Sequence, residues 1–155
     1  MHQRLSVNAL CFPGHPMEEM AEYWRELAPG RVSITSALLP QHGDEAVRKA
    51  IGTHKIETYA HALHMGPLSS DEASWAKPRE DLSSAIQFAK SIGARSIYLV
   101  TGGRPSRMRW EEAAEIFSAI VAPVLPEAKA AGVPILIETA PFVYSMVHLV
   151  HSLRD

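Results

Sequence analysis

The chain has one cysteine, Cys11, in 155 residues. An intrachain disulfide framework is therefore excluded, and the composition fits a reducing compartment. Positive charge is not in excess. Fifteen Lys and Arg stand against seventeen Asp and Glu, for a formal net charge of −2. That balance offers no footprint for nucleic acid or for an acidic membrane surface. No apolar run approaches the roughly 20 residues of a transmembrane helix. The N-terminus has Arg4 but no apolar stretch behind it, so the pattern of a secretory signal is missing. A glycine-rich phosphate cradle is missing too. The first turn, Cys11-Phe12-Pro13-Gly14-His15-Pro16, has the wrong spacing, and Gly102-Gly103 lacks the rest of a dinucleotide fingerprint. The expectation is a soluble, cytoplasmic protein with no nucleic-acid, membrane or nucleotide partner.

What is present is ordinary for a globular domain: 46% hydrophobic and 21% charged residues, in a length that suits a single domain over residues 1–155. Strand-like and helix-like periods alternate along it. Leu5–Leu10 reads as a first strand. Met17–Leu27 reads as a helix, with Met20, Tyr23, Trp24 and Leu27 at helical spacing and Pro29-Gly30 to end it. Val32–Thr35 is a second strand. Asp44 is placed to N-cap a helix through Val47 and Ile51. Ile56–Leu63 is a third strand, followed by a polar loop, Met65–Arg79, with a short helical turn. Leu82–Ile92 is a helix closed by Gly93. Ser96–Thr101 is a fourth strand. Trp110–Ala131 is helical, with Pro123 and Pro126 to break or kink it and Gly132 to stop it. Ile135–Thr139 is a fifth strand, and Phe142–Asp155 a last helix. Alternating strands and helices imply an α/β protein with a parallel sheet and right-handed crossovers. Two forms satisfy this: an open doubly wound sheet, or part of an eight-fold β/α barrel.

In either form the carboxyl ends of the strands are where chemistry sits. Glu138 stands there, behind Ile135 and Ile137. A carboxylate so placed is costly to bury unpaired, so a metal or an arginine would neutralise it. The bland alternative is an exposed strand-end glutamate or a structural ion pair. His61 and His64 close the third strand with opposite parity, so a regular strand cannot point both inward. His61 is favoured for the site, against an equally weighted structural role. Arg104, Arg107 and Arg109 flank the loop after the fourth strand. They read first as a solvated basic loop. Trp75 and Trp110 suit either sugar stacking or packing. His148 and His151 are three apart, but the apolar residues around them favour an amphipathic covering helix.

Three stretches carry a family resemblance. They are Asp81–Val100, with its Ile92-Gly93-Ala94 turn; Trp110–Phe117 followed by Leu125–Gly132; and Gly132-Val133-Pro134-Ile135-Leu136-Ile137-Glu138. In order and spacing the chain resembles the xylose-isomerase-like barrel superfamily. That superfamily holds sugar isomerases and epimerases, inosose and dehydroshikimate dehydratases, and type IV apurinic endonucleases. The resemblance covers about the first five strands of an eight-stranded barrel, so it implies a partial (β/α) barrel. It implies a divalent metal (Mn²⁺, Mg²⁺ or Co²⁺, with Zn²⁺ where histidine predominates) held by Glu138 and His61. Glu138 would also be the catalytic acid/base. His64, Trp110 and Asn8 would face a small carbohydrate-like substrate.

The implied reaction is isomerisation or epimerisation of a small polyhydroxy carbonyl compound through an enediolate. A dehydratase shares the first step. Thr101 stands where the endonuclease branch has a second histidine, which argues against a repair nuclease. No later-strand ligand can be assigned. An open sheet edge implies a homo-oligomer, or a non-catalytic assembly module.

Overall fold

The structure is a computed structural model, and it describes residues 2, 5–63 and 68–138. His64, His148, His151 and the helix expected over Phe142–Asp155 lie outside the described residues.

Five strands alternate with helices: β1 (Ser6–Asn8), α1 (Met17–Leu27), β2 (Arg31–Thr35), α2 (Leu38–His42), α3 (Asp44–Ile51), β3 (Ile56–Ala62), α4 (Ala76–Ser91), β4 (Ser96–Val100), α5 (Trp110–Val121), α6 (Leu125–Ala131) and β5 (Ile135–Ile137). All pairings are parallel, and the strand order is the chain order, β1-β2-β3-β4-β5. This order decides between the two sequence-level forms. A doubly wound sheet reverses its order at a switch point. A sheet that never reverses, with right-handed crossovers, carries its helices on one face only. That is the winding of a barrel, here an open five-stranded one.

The two faces differ accordingly. On the helix side, Tyr59 packs its ring on Phe88 of α4 at 5.1 Å, and Ile97 and Leu99 are fully buried. On the other side, Tyr98 is half-buried and Leu136 is 49% exposed. The core is therefore the layer between sheet and helices. Met17, Met20 and Trp24 of α1, Val47 and Ile51 of α3, and Leu82 and Ile86 of α4 fill it against Val32, Ile34 and Ile56. Tyr23 turns aside to stack on Phe12 at 5.0 Å, and Leu27 stays exposed.

Several boundaries move from their expected places, each for a local reason. β1 stops at Asn8 because Asn8 Oδ1 accepts the Leu10 N–H at 2.9 Å, turning Ala9–Cys11 into a 3₁₀ turn. Asp44 is the first residue of α3 rather than its cap. Gly43 precedes it at φ 82°, so the acid acts on the helix dipole. α4 begins at Ala76, six residues early. Asp71 caps a 3₁₀ turn, Glu72–Trp75, that runs straight into it, and Pro78 falls in the first turn, where its missing N–H costs nothing. Short helix α2 was not expected, for the same reason: Pro40 in a first turn reads like a loop. The break near Pro123 is present, as the 3₁₀ turn Ala122–Val124 between α5 and α6.

At the amino ends of the strands Glu57 bridges Arg31 (3.0 Å) and Arg95 (3.2 Å), tying the starts of β2, β3 and β4. α1 ends less comfortably, on Ala28 in the left-handed region (φ 43°, ψ 56°). A side chain there costs about 1–2 kcal/mol, and glycine gives back part of that through its freer unfolded state. Ala28→Gly is expected to raise stability by roughly 0.5–1 kcal/mol. A urea melt with an unchanged or lower midpoint would contradict this account of the cap.

Candidate functional site

The carboxyl ends of the strands bring Asn8, Thr35, Ser36, His61, Thr101 and Glu138 to one edge of the sheet. Glu138 lies one residue past β5, yet its N–H still donates to the Leu99 carbonyl at 2.8 Å. The carboxylate is thus carried on backbone that remains part of the ladder, and it is partly buried. His61, Leu99 and Ile137 are level across β3, β4 and β5, so Glu138 belongs to the next row, with Ala62 and Val100. Alternation sends that row to the open face and the His61 row to the helix side. Regular strands therefore do not bring Glu138 and His61 together on one face.

His61 is buried. Its Nδ1 lies 3.3 Å from Ser36 Oγ, while Nε2 is buried with no hydrogen-bond partner among the described residues. Burial pushes the ring below the ordinary value of 6.5, against a weaker opposite pull from Asp81. The ring is accordingly neutral and pre-set as a donor or ligand. Ser36, which orients it, carries no sequence signal, because serine after a strand is ordinary turn chemistry.

The lowered His61 value has a stability consequence. Above 6.5 both folded and unfolded histidine are neutral, and burial contributes nothing pH-dependent. As pH falls below 6.5 the unfolded chain binds a proton that the folded chain refuses, so stability drops. His61→Gln is expected to flatten the loss of stability between about pH 7.5 and about pH 5 in urea melts. An unaltered slope would mean that the imidazole is not the group responsible.

Several other residues of this edge and its loops make contacts within the fold. Asn8 Oδ1 accepts the hydrogen bond of the turn described above, leaving its amide nitrogen and a second oxygen lone pair for a ligand. Trp75 donates its Nε1–H to the Ser69 carbonyl at 2.8 Å, with Arg79 over its ring, so it closes a loop rather than offering a stacking face. Arg104 donates to the Met108 carbonyl, and Arg109 pairs with Glu111 at 3.0 Å. Trp110, half-buried, opens α5. Thr101 is fully buried and Gly102 follows it at φ 93°. Cys11 is exposed.

Among the described residues, Glu138 is the side chain on the open face of this edge that would hold a divalent ion. Its carboxylate is a hard-cation donor on the open face. His61 has the right chemistry in its unpartnered nitrogen, but on the opposite side. Among the described residues no three His, Cys, Asp or Glu side chains gather as a ligand set. Among the described residues, too, no helix is long and apolar enough to cross a membrane.

A family model for the xylose isomerase-like TIM barrel matches residues 14–154. Among curated proteins none matches the sequence. Solved structures do. Protein SMc04130 from Sinorhizobium meliloti 1021 is 22% identical, with a TM-score of 0.77 over 93% of this chain and 54% of that one. A D-allulose 3-epimerase from Methylomonas sp., in complex with D-allulose, is 13% identical, with a TM-score of 0.75 over 96% of this chain and 56% of that one. The IolI protein with a bound zinc atom is 16% identical, with a TM-score of 0.67 over 85% and 50%. At these identities the likeness fixes the fold. The chain spans about half the length of these structures.

Proposed function

Because the chain belongs to the xylose isomerase-like TIM barrel family, we propose that the protein is a metal-dependent isomerase or epimerase of a small polyhydroxy carbonyl compound. The observation that carries this reading is Glu138: a carboxylate on the open face, at the carboxyl edge, fixed by a ladder hydrogen bond. Fold alone would not suffice, since one barrel serves many chemistries. Epimerases among the structural neighbours give the class its support.

In this reading Glu138 takes the proton from the carbon beside the substrate carbonyl. The C–H electrons become the C=C bond of an enediolate as the carbonyl π pair moves to oxygen. Return of the proton from Glu138 to the neighbouring carbon, with a proton passing between the two enediolate oxygens, isomerises; protonation of the same carbon from the opposite face by a second acid outside the described residues, while Glu138 keeps the first proton, epimerises. A bound Mn²⁺, Mg²⁺, Co²⁺ or Zn²⁺ would polarise the carbonyl and lower the cost of the developing negative charge. Glu138 would hold that ion, with the remaining ligands outside the described residues. His61 stays with Ser36 on the helix side, and joins the ion only if its ring leaves that partner. Asn8 through its amide, Trp110, and His64 would contact the substrate.

The test is solvent exchange. Protein incubated in D₂O with each metal and a panel of free ketohexoses is expected to place deuterium on the carbon beside the carbonyl, read by proton NMR. No exchange with any metal would overturn the reading.

A second reading has its own observation. β1 and β5 are unpaired on their outer edges among the described residues, and Leu136 and Ile137 are about half exposed there. Such an edge invites association. A homo-oligomer formed through it is expected to dissociate on Ile137→Lys, as seen by sedimentation.

A further inference from the structure

The helix layer carries a hollow on its solvent side, across the sheet from the open face that holds Glu138. Helices α1 and α3 pack side by side, and a groove of about 250 Å³ runs between them. Its floor is Met17, Ala21, Ala46 and Ala50. Methyl side chains at three of these four positions cannot fill the space between two helices, whose axes pack roughly 8–10 Å apart.

The rim is charged in a definite order. Glu18, Glu22 and Arg25 stand on the α1 wall and Lys49 on the α3 wall, all of them exposed. Positions 18, 21, 22 and 25 fall three or four residues apart, so they form one row along α1. Read along the helix, that row is acid, alanine, acid, base. Glu18 and Lys49 have no ion-pair partner among the described residues. Arg25 reaches Glu22 only at 3.6 Å, with the two side chains 70% and 62% exposed.

A row of this order is complementary to its own reverse. Consider two copies of α1 laid antiparallel about a twofold axis that passes between Ala21 and Glu22. Glu18 of each copy then meets Arg25 of the other. The alanine at the centre lets the two backbones approach, and the helix dipoles oppose each other. A parallel arrangement would instead set Glu18 against Glu18 and Arg25 against Arg25. We propose that this face docks a second copy of the chain through α1, antiparallel and twofold-symmetric. Lys49, on the far wall, supplies positive charge diagonal to Glu22 of the other copy.

Two helices of 11 and 8 residues make a small interface, so the dimer is a weak and reversible one. The contact shares no residue with Glu138 or with the β5 edge. It therefore stands or falls independently of the proposed activity and of association through that edge. An acid early in α1 and a base late in it also suit the dipole of a lone helix. Association, not stability, is accordingly what must be measured.

The experiment is sedimentation equilibrium of the whole protein over a concentration series. A reversible monomer–dimer equilibrium is expected. Glu18→Lys and Arg25→Glu, each alone, are expected to weaken it about tenfold, because two opposed pairs become two repulsive ones. Mixing these two variants in equal amounts is expected to restore dimers of wild-type affinity, since Lys and Glu then face each other at both ends of the row. Circular dichroism and urea melts of the single variants confirm that the fold is kept. A monomer at every concentration would overturn the inference. So would a dimer indifferent to both charge reversals, or variants that fail to recover on mixing. Association that survives both reversals but is lost on Ile137→Lys belongs to the sheet edge, and it too would overturn the α1 contact.

Discussion

Glu138→Gln is expected to reduce turnover by about 10²–10⁴-fold, the usual contribution of a positioned acid/base. The amide keeps the size of the carboxylate but can neither accept the proton nor bind a hard cation strongly. The fold should survive, because Glu138 enters the ladder through its backbone N–H, which the substitution leaves in place. Two measurements separate the causes. Mn²⁺ retention in equilibrium dialysis should fall if Glu138 is a ligand. D₂O exchange should fall even at saturating metal if it also moves the proton. Normal turnover by Glu138→Gln would remove the residue from the mechanism, and the assembly reading would then lead.

The largest stability effect belongs to Trp24→Ala. Trp24 is fully buried on α1, beside His54 at 6.0 Å between ring centroids. Truncating a buried Trp costs about 3–5 kcal/mol, through lost transfer energy and the cavity left behind. A domain has roughly 5–15 kcal/mol in total, so the variant is expected to be marginal at best. Trp24→Phe is the informative companion. The indole Nε1–H is buried with no partner among the described residues, so phenylalanine removes an unpaired donor while losing some volume. Its cost should therefore lie well below that of alanine, near 1 kcal/mol. Equal losses for Phe and Ala in urea melts would show that the indole N–H, not ring volume, decides the site, and would overturn its account as an unpaired donor.

These residues also show what was legible beforehand. Met20 and Trp24 declare α1 by their spacing, and the core uses both. The alternation of strand and helix gave the class, and the resemblance gave the barrel. The choice between barrel and doubly wound sheet is a tertiary fact on residues alone, since strand order leaves no mark on local periodicity. The misplaced boundaries share one cause. Asn8, Asp71, Pro40 and Pro78 are turn residues by composition, yet three of them cap or start a helical turn, and Pro40 sits inside one. Glu138 was legible because a carboxylate after an apolar strand is unusual. Ser36 was not. Its part in the site comes from His61, 25 residues away, and the two meet only when β2 and β3 pair.

The unreversed strand order bears on how the chain is made. Each strand pairs with the one before it, and partners lie about 25–40 residues apart. On the ribosome, every strand that emerges finds its neighbour already outside the tunnel and able to receive it. Nothing waits for a distant C-terminal element to begin pairing, so synthesis and folding can advance in step from the first βα unit onward.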